Sequence, residues 1–328
     1  MYVFEEDKLI KSIIKHKPTQ ILLQLPEGLK KESSRLATLI QEKTGVDVIV
    51  SGEPLWGACD VAVEEAKQLG CDLIVMYGHA PFMDIKFPVI YIEARYEINI
   101  SSLLKKALPL LKGKTKIGLL CSVQHMHQLA PATKMLEVEH HKVLIPKAKG
   151  HAFYDGQVLG CEYTGIKMLA EKVDALLMIA NKFHALGASL AVAKPVILVD
   201  PLQQEVLDMK SIREKIIKQR VAAVAHAQDA RKIGVIIGTK IGQKFGSYEY
   251  VRTQLKKLGK PYVLISMGEV TNDKLINLHD IDAFVELAGP RIAIDAAGIY
   301  EKPLLTAREF AVLCGDLTWD DLMKKGFL

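Results

Sequence analysis

The sequence predicts an α/β fold of three homologous domains, each a small parallel sheet flanked by helices, arranged around a central site. Three observations carry the prediction. Short apolar runs alternate with amphipathic stretches along the whole chain, the pattern of buried parallel strands joined by helices. The order of these elements recurs, and Thr115-Lys-Ile-Gly-Leu-Leu120 resembles Arg231-Lys-Ile-Gly-Val-Ile236 at matching points of units of about a hundred residues, which argues for internal triplication. Loops at the carboxyl ends of three such sheets would meet where α/β proteins bind ligands.

In the first unit, residues 1–112, a short helix over 1–17 carries Phe4, Leu9, Ile10, Ile13 and Ile14 on one side. Strand 19–25 turns at Pro26-Glu27-Gly28 into a helix reaching about Lys43. Strands 46–50, 72–77 and 88–92 follow, with a helix over 61–69 between the first two of them. The second unit, 113–203, repeats the order with strands 115–121, 142–145, 175–179 and 195–199. In the third, 204–328, a long basic helix over 204–231 precedes strands 232–237, 262–266 and 283–287.

Composition narrows the function classes. Of 328 residues, 49% are hydrophobic and 25% charged, which fits a globular chain and excludes disorder. No apolar run reaches the roughly 20 residues of a membrane-spanning helix, and the acidic start Met1-Tyr-Val-Phe-Glu-Glu-Asp-Lys8 is not a secretory signal. We expect a cytoplasmic protein without a membrane partner. A formal charge of +5, with no basic block interleaved with aromatics, argues against a nucleic-acid partner and leaves room for an anionic cofactor or an acidic protein. Five cysteines are too few, and odd in number, for a disulfide framework, so thiols or ligands are expected.

The most informative stretch is Ser51-Gly-Glu-Pro-Leu-Trp-Gly-Ala-Cys59-Asp60. It runs from a strand through a loop bearing Gly and Pro into a helix, where unpaired N–H groups and the helix dipole favour a thiolate. Asp155-Gly-Gln-Val-Leu-Gly-Cys161-Glu162 has the same form in the second unit. Two thiolates from matched loops suit zinc or an iron-sulfur cluster, whereas a lone cysteine is usually a small buried hydrophobe. Cys71, Cys121 and Cys314 lie in apolar context and read as core. The pair His125 and His127 reads as a solvated cluster rather than a zinc site. His79 at a strand end is a substrate contact or a turn. The loop 238–243 resembles an anion cradle but lacks both nucleotide-binding patterns.

Taken together, Gln24-Leu-Pro-Glu-Gly28, Trp56-Gly-Ala-Cys59-Asp60, Tyr77-Gly-His79, Gly156-Gln-Val-Leu-Gly-Cys161, Thr239-Lys-Ile-Gly-Gln243 and Gly289-Pro-Arg-Ile-Ala-Ile-Asp295 resemble the archaeal diphthamide synthase family of the first biosynthetic step. The resemblance spans nearly the whole chain with the motifs in order. It implies a homodimeric transferase of three homologous domains that hold a 4Fe-4S cluster binding S-adenosylmethionine. It also implies cleavage of the Cγ–S bond of that molecule and transfer of a 3-amino-3-carboxypropyl group to a histidine of translation elongation factor 2, fed by an electron donor. Cys59 and Cys161 fit two of the cluster's ligand positions; Gln243, Arg291 and Asp295 fall in the cofactor pocket, Arg291 as a fork for the methionine carboxylate.

At the third ligand position the family usually carries Cys-Pro-Arg, where this chain has Gly289-Pro290-Arg291. The implied cluster is then held by two protein thiolates, or recruits another cysteine such as Cys314, or is lost, and the chain could act beside a paralogue with the full set. Two other readings compete: a non-catalytic partner subunit of such an enzyme, and an iron-sulfur enzyme like quinolinate synthase, which the loop sequences match less well.

Overall fold

The computed structural model describes residues 1–295 and 298–328. Three sheets carry the architecture, and all share one strand order. Numbering the strands of each repeat by their place in the chain, the second lies at one edge, beside the first, then the third, then the fourth. The first repeat uses Gln20–Gln24, Asp47–Val50, Leu73–Tyr77 and Val89–Ile92. The second uses Lys116–Cys121, Lys142–Leu144, Ala175–Ile179 and Val196–Asp200, and the third Ile233–Gly238, Tyr262–Met267, Ala283–Glu286 and Leu304–Thr306. Every pairing among these strands is parallel.

The central strands read as they do because both faces are covered. Leu73–Tyr77, Ala175–Ile179 and Val196–Asp200 are buried along their full length, so apart from the closing Asp200 they are apolar instead of alternating. Helices such as Ser33–Thr44, Thr164–Ala170 and Tyr248–Lys257 lay their apolar stripes on these faces.

The repeats are also fastened alike. Asp72 accepts from the N–H groups of Thr19 (2.9 Å) and Gln20 (3.2 Å), Asp174 from Thr115 (2.8 Å) and Lys116 (2.8 Å), and Asp282 from Arg231 (2.8 Å) and Lys232 (3.1 Å). A carboxylate just before the third strand thus ties down the start of the first in each sheet. All three carboxyls lie below the usual carboxylate range, Asp282 chiefly through the Arg231 side chain, Asp72 against its burial through these bonds and Asp174 through these bonds. In each repeat a proline carbonyl, of Pro88, Pro195 or Pro303, opens the fourth strand by accepting from the third. These matched bonds extend the triplication from the sequence likeness to the geometry.

Three expectations are corrected. Helix 204–231 begins only at Lys210 and ends at Gln228. Asp200 accepts from the N–H groups of Leu202 and Gln203 (3.0 and 3.1 Å) and Gln204 takes a φ of 56°, which turns Glu205–Asp208 back as an antiparallel fifth strand on the second sheet. A helix, Lys182–Ala191, fills what reads as a connection, its first turn capped by the Asn181 side chain accepting from His184 N–H. The third repeat has a fourth strand, Leu304–Thr306, too short to register as periodicity.

The chain divides into two compact units, one of residues 1–99 with 123–127 and one of 100–122 with 128–328. The second contains two of the sheets. A buried ion pair links elements within it: Arg220, on the long helix, donates to both Glu309 oxygens (2.7 Å each) and to the carbonyls of Ala293 (2.7 Å) and Leu304 (2.6 Å). Glu309 in turn completes a capping box with Thr306. Among the described residues no helix is long and apolar enough to cross a membrane.

Candidate functional site

The two loop cysteines occupy equivalent places, each following the second strand of its sheet and preceding a helix. In the first unit, Cys59 is half-buried. The loop around it is folded by its own neighbours: Trp56 N–H donates to the Asp60 carboxylate (3.3 Å) and Asp60 N–H to the Gly57 carbonyl (2.9 Å). Gln24, buried at the end of the first strand, clamps the far side. Its amide nitrogen donates to the Asp60 carbonyl (2.8 Å) and its oxygen accepts from Ala62 N–H (3.2 Å). The motif residue Gln24 therefore sets where the chain leaves Cys59.

In the second unit, Cys161 is also half-buried. Its loop is fastened by main chain, Cys121 N–H donating to Gly156 and Val158 N–H to Cys121, both at 2.9 Å. Gln157 accepts from the N–H groups of Phe153 (2.8 Å) and Tyr154 (3.1 Å). The support beneath comes from the third repeat. Arg291 is buried and donates through Nη1 to the carbonyls of Phe183 (2.6 Å) and Gly160 (3.3 Å) and to the Tyr163 hydroxyl (3.3 Å). Its guanidinium lies 4.1 Å from the centre of the Phe183 ring and its Nη2 pairs with Asp295. Tyr163 donates to the Gly160 carbonyl.

Two glycines make this packing possible. A Cβ on Gly160 would lie 1.7 Å from a Phe183 ring carbon, and one on Gly187 would lie 2.2 Å from the Tyr163 hydroxyl and 2.3 Å from Arg291 Nη1. Any other residue at either position pushes the ring or the guanidinium out of place.

The electrostatics follow from burial. Burial lifts the Tyr163 hydroxyl well above an ordinary phenol. For Arg291 burial works against the charge, but Tyr163 and Asp295 outweigh it and hold the guanidinium charged. Burial raises Asp295 against the pull of Arg291. Arg291 Nε is buried with no hydrogen-bond partner among the described residues, so one donor of this fork remains to be satisfied.

Gln243 lies on a neighbouring loop of the third sheet. Phe245 N–H donates to the Leu287 carbonyl (2.9 Å), which lays that loop beside the 287–291 turn leading to Arg291. Beneath the turn, the buried Glu286 accepts from the N–H groups of Ala288 (3.1 Å) and Gly289 (3.0 Å), and burial pushes its carboxyl up to about 8. Gly289 offers no ligating side chain. By strand pairing it matches His79 of the first repeat, after a third strand, whereas Cys59 and Cys161 follow second strands.

The remaining cysteines are poorer donors. Cys71 and Cys121 are core residues whose thiols are raised by burial. Cys314 ends the helix Ala307–Leu313 and is pushed up to about 11 by burial and Asp316. His125 is buried edge-on against Tyr96 and held down to about 4 by burial and then by His127, so it is core and not part of a solvated surface cluster, and His127 beside it is half-buried. His79 donates through Nδ1 to the Tyr77 carbonyl (3.0 Å) and is lowered by burial. Among the described residues no three His, Cys, Asp or Glu side chains are grouped to hold a metal ion. Cys59 and Cys161 are thus the two half-buried thiols in matched loops, and Gly289 brings no side-chain donor.

Sequence reasoning pointed to Cys161, Arg291 and Asp295 separately, and the structure brings the Cys161 loop, Arg291 and Asp295 together. It missed Tyr163, Phe183 and Gly187. Tyr163, two residues after Cys161, was within reach of a motif argument; Phe183 and Gly187 carry no local signal.

The diphthamide synthesis protein family model matches residues 25–323. The 2-(3-amino-3-carboxypropyl)histidine synthase of Pyrococcus horikoshii is 33% identical over 319 residues, covering 96% of this chain and 91% of that protein. Subunit 1 of the human enzyme of that name is 29% identical over 328 residues, covering 97% of this chain and 73% of its own length. Among solved structures, Dph2 from P. horikoshii matches with a TM-score of 0.88 at 32% identity, over 97% of this chain and 92% of that one. The same protein with a 4Fe-4S cluster matches with a TM-score of 0.88 at 31% identity, over 99% and 95%.

Proposed function

From the premise that the chain belongs to the diphthamide synthesis protein family, we propose that it catalyses the first step of diphthamide biosynthesis. The reaction is transfer of a 3-amino-3-carboxypropyl group from S-adenosylmethionine to a histidine of translation elongation factor 2. The observation that carries the reading is the matched placing of Cys59 and Cys161, each half-exposed after the second strand of its sheet, in a chain that resembles a cluster-bearing relative over nearly its full length. Cys59 and Cys161 would hold a 4Fe-4S cluster, which when bound supplies the electron that cleaves the Cγ–S bond of S-adenosylmethionine.

The chain's own residues bind and orient. Arg291 is fixed by Phe183, Gly160 and Asp295 and has its Nε donor still to be satisfied, so it suits the methionine carboxylate. Asp295 keeps that guanidinium charged and aligned, and Gln243 offers an amide from the adjoining loop. The protein acts as a cytoplasmic homodimer drawing on a separate electron donor. Gly289 favours a second reading, in which the chain supports the cluster of another subunit that carries the full ligand set.

Anaerobic purification with iron and sulfide quantitation, then reduction with dithionite in the presence of S-adenosylmethionine and elongation factor 2, tests both readings. Mass added to the factor's histidine by this chain alone supports the transferase. Cleavage only after adding a paralogue supports the partner subunit, and iron content unaltered by Cys59→Ala overturns the ligand assignment.

A further inference from the structure

The shared strand order leaves the second strand of every sheet at an edge, and the three edges differ. In the first sheet the edge strand is Asp47–Val50 and in the second Lys142–Leu144, each opening on a charged residue. In the third it is Tyr262–Met267, six residues without a charge, with Val263 38% and Leu264 41% exposed. A long apolar edge is a template for another strand, and edges left to face water usually carry charges or proline.

The pairing shows which backbone groups are on offer. Ile233 N–H donates to the Pro261 carbonyl (3.0 Å) and Thr239 N–H to that of Met267 (3.1 Å). The odd-numbered residues from 261 to 267 therefore face the sheet, and the N–H and C=O groups of Tyr262, Leu264 and Ser266 point away from it. None of these six groups has a partner among the described residues. Three outward residues at two-residue spacing form a self-complementary set. Under a two-fold axis at Leu264, antiparallel pairing sets Tyr262 opposite Ser266 and Leu264 opposite its own copy.

Charge agrees with that direction. The strand is preceded by exposed Lys256 and Lys257 and by the half-buried Lys260, and is followed by Glu269 and exposed Asp273, with Lys274 the one cation there. Antiparallel pairing brings the basic end of one copy to the acidic end of the other, and parallel pairing would bring like ends together.

We propose that Tyr262–Met267 is the surface through which two copies of this chain associate, joining two four-stranded sheets into one of eight strands. The inference rests on the homodimer reading above and not on the assignment of the reaction.

Sedimentation of the full chain with Leu264→Pro tests it, since proline removes only an outward N–H and leaves the bonds to Ile233–Gly238 in place. The wild type is expected as a dimer at micromolar concentration and Leu264→Pro as a monomer, with circular dichroism and melting checking its fold. Leu264→Cys keeps the test open should the proline variant misfold: residues opposite one another in a hydrogen-bonded pair lie within disulfide reach. Mild oxidation should then link two chains at Leu264→Cys and not at Thr253→Cys on the exposed side of helix Tyr248–Lys257. A dimer that survives Leu264→Pro and forms no crosslink at position 264 overturns the surface while leaving the homodimer standing. A wild type that sediments as a monomer overturns both.

Discussion

The loops bearing Cys59 and Cys161 start from the same place in the same fold and are supported differently. The first is held within its own repeat, Gln24 reaching the backbone of Asp60 and Ala62 and the Asp60 carboxylate accepting from Trp56 N–H. The second rests on a charge lent by the next repeat, Arg291 lying beneath Gly160 and against Phe183 and Tyr163. Position in a repeat decides where a cysteine stands. What sets its surroundings is whatever side chain the fold brings underneath, and that makes the Cys161 loop answer to Arg291, 131 residues beyond Gly160 in the chain, while the Cys59 loop answers to its own neighbours.

The largest expected difference is in pH. Glu286 holds the 288–289 turn that leads to Arg291, and its carboxyl is pushed up to about 8 by burial. A carboxyl whose folded value lies above its unfolded one favours the fold fully below about pH 4.5, and that contribution is lost as pH rises through 8, on the order of 5 kcal/mol in all. Hydrogen exchange in residues 160–163 and 288–291, corrected for intrinsic rate, should therefore accelerate between pH 6 and 9. Residues 57–62 should show no such change, and Glu286→Gln should abolish it.

Next in size is Arg291→Met, which leaves Asp295 and the Phe183 carbonyl without their donor. We expect a loss of about 3 kcal/mol in denaturant melts, allowing for the partial exposure of Asp295, and greater protease sensitivity at the Cys161 loop only. Gln24→Leu is its counterpart, stranding a buried carbonyl and an N–H at a cost of about 2 kcal/mol. Faster exchange at Ala62 with none at Tyr163 would be its signature. The smallest effect is Tyr163→Phe, which removes one buried hydroxyl from the Gly160 carbonyl for about 1 kcal/mol. Equal responses of both loops to any of the first three changes would dissolve the contrast.

Much of this was legible in the sequence for a physical reason. Central strands buried on both faces cannot hide their composition and the edge strands are apolar too, so eleven of the twelve parallel strands announce themselves as apolar runs, and the repeat places Cys59 and Cys161 in matching loops. Leu304–Thr306 was lost because three residues carry no period, and Glu205–Asp208 because a turn at Asp200 and a positive φ at Gln204 decide its direction. The packing beneath Cys161 could not be read at all. Phe183 and Arg291 are 108 residues apart and meet only through the fold. Gln24 lay within a motif, but nothing local says that its amide reaches Asp60 and Ala62.

The central claim is that Cys59 and Cys161 are the protein's cluster ligands, and iron with acid-labile sulfide in anaerobically prepared protein tests it most directly. The account predicts iron and sulfide in near-equal amounts in the wild type, with loss of both in Cys59→Ala and in Cys161→Ala and retention in Cys71→Ala. Iron held equally well by either loop variant would contradict it.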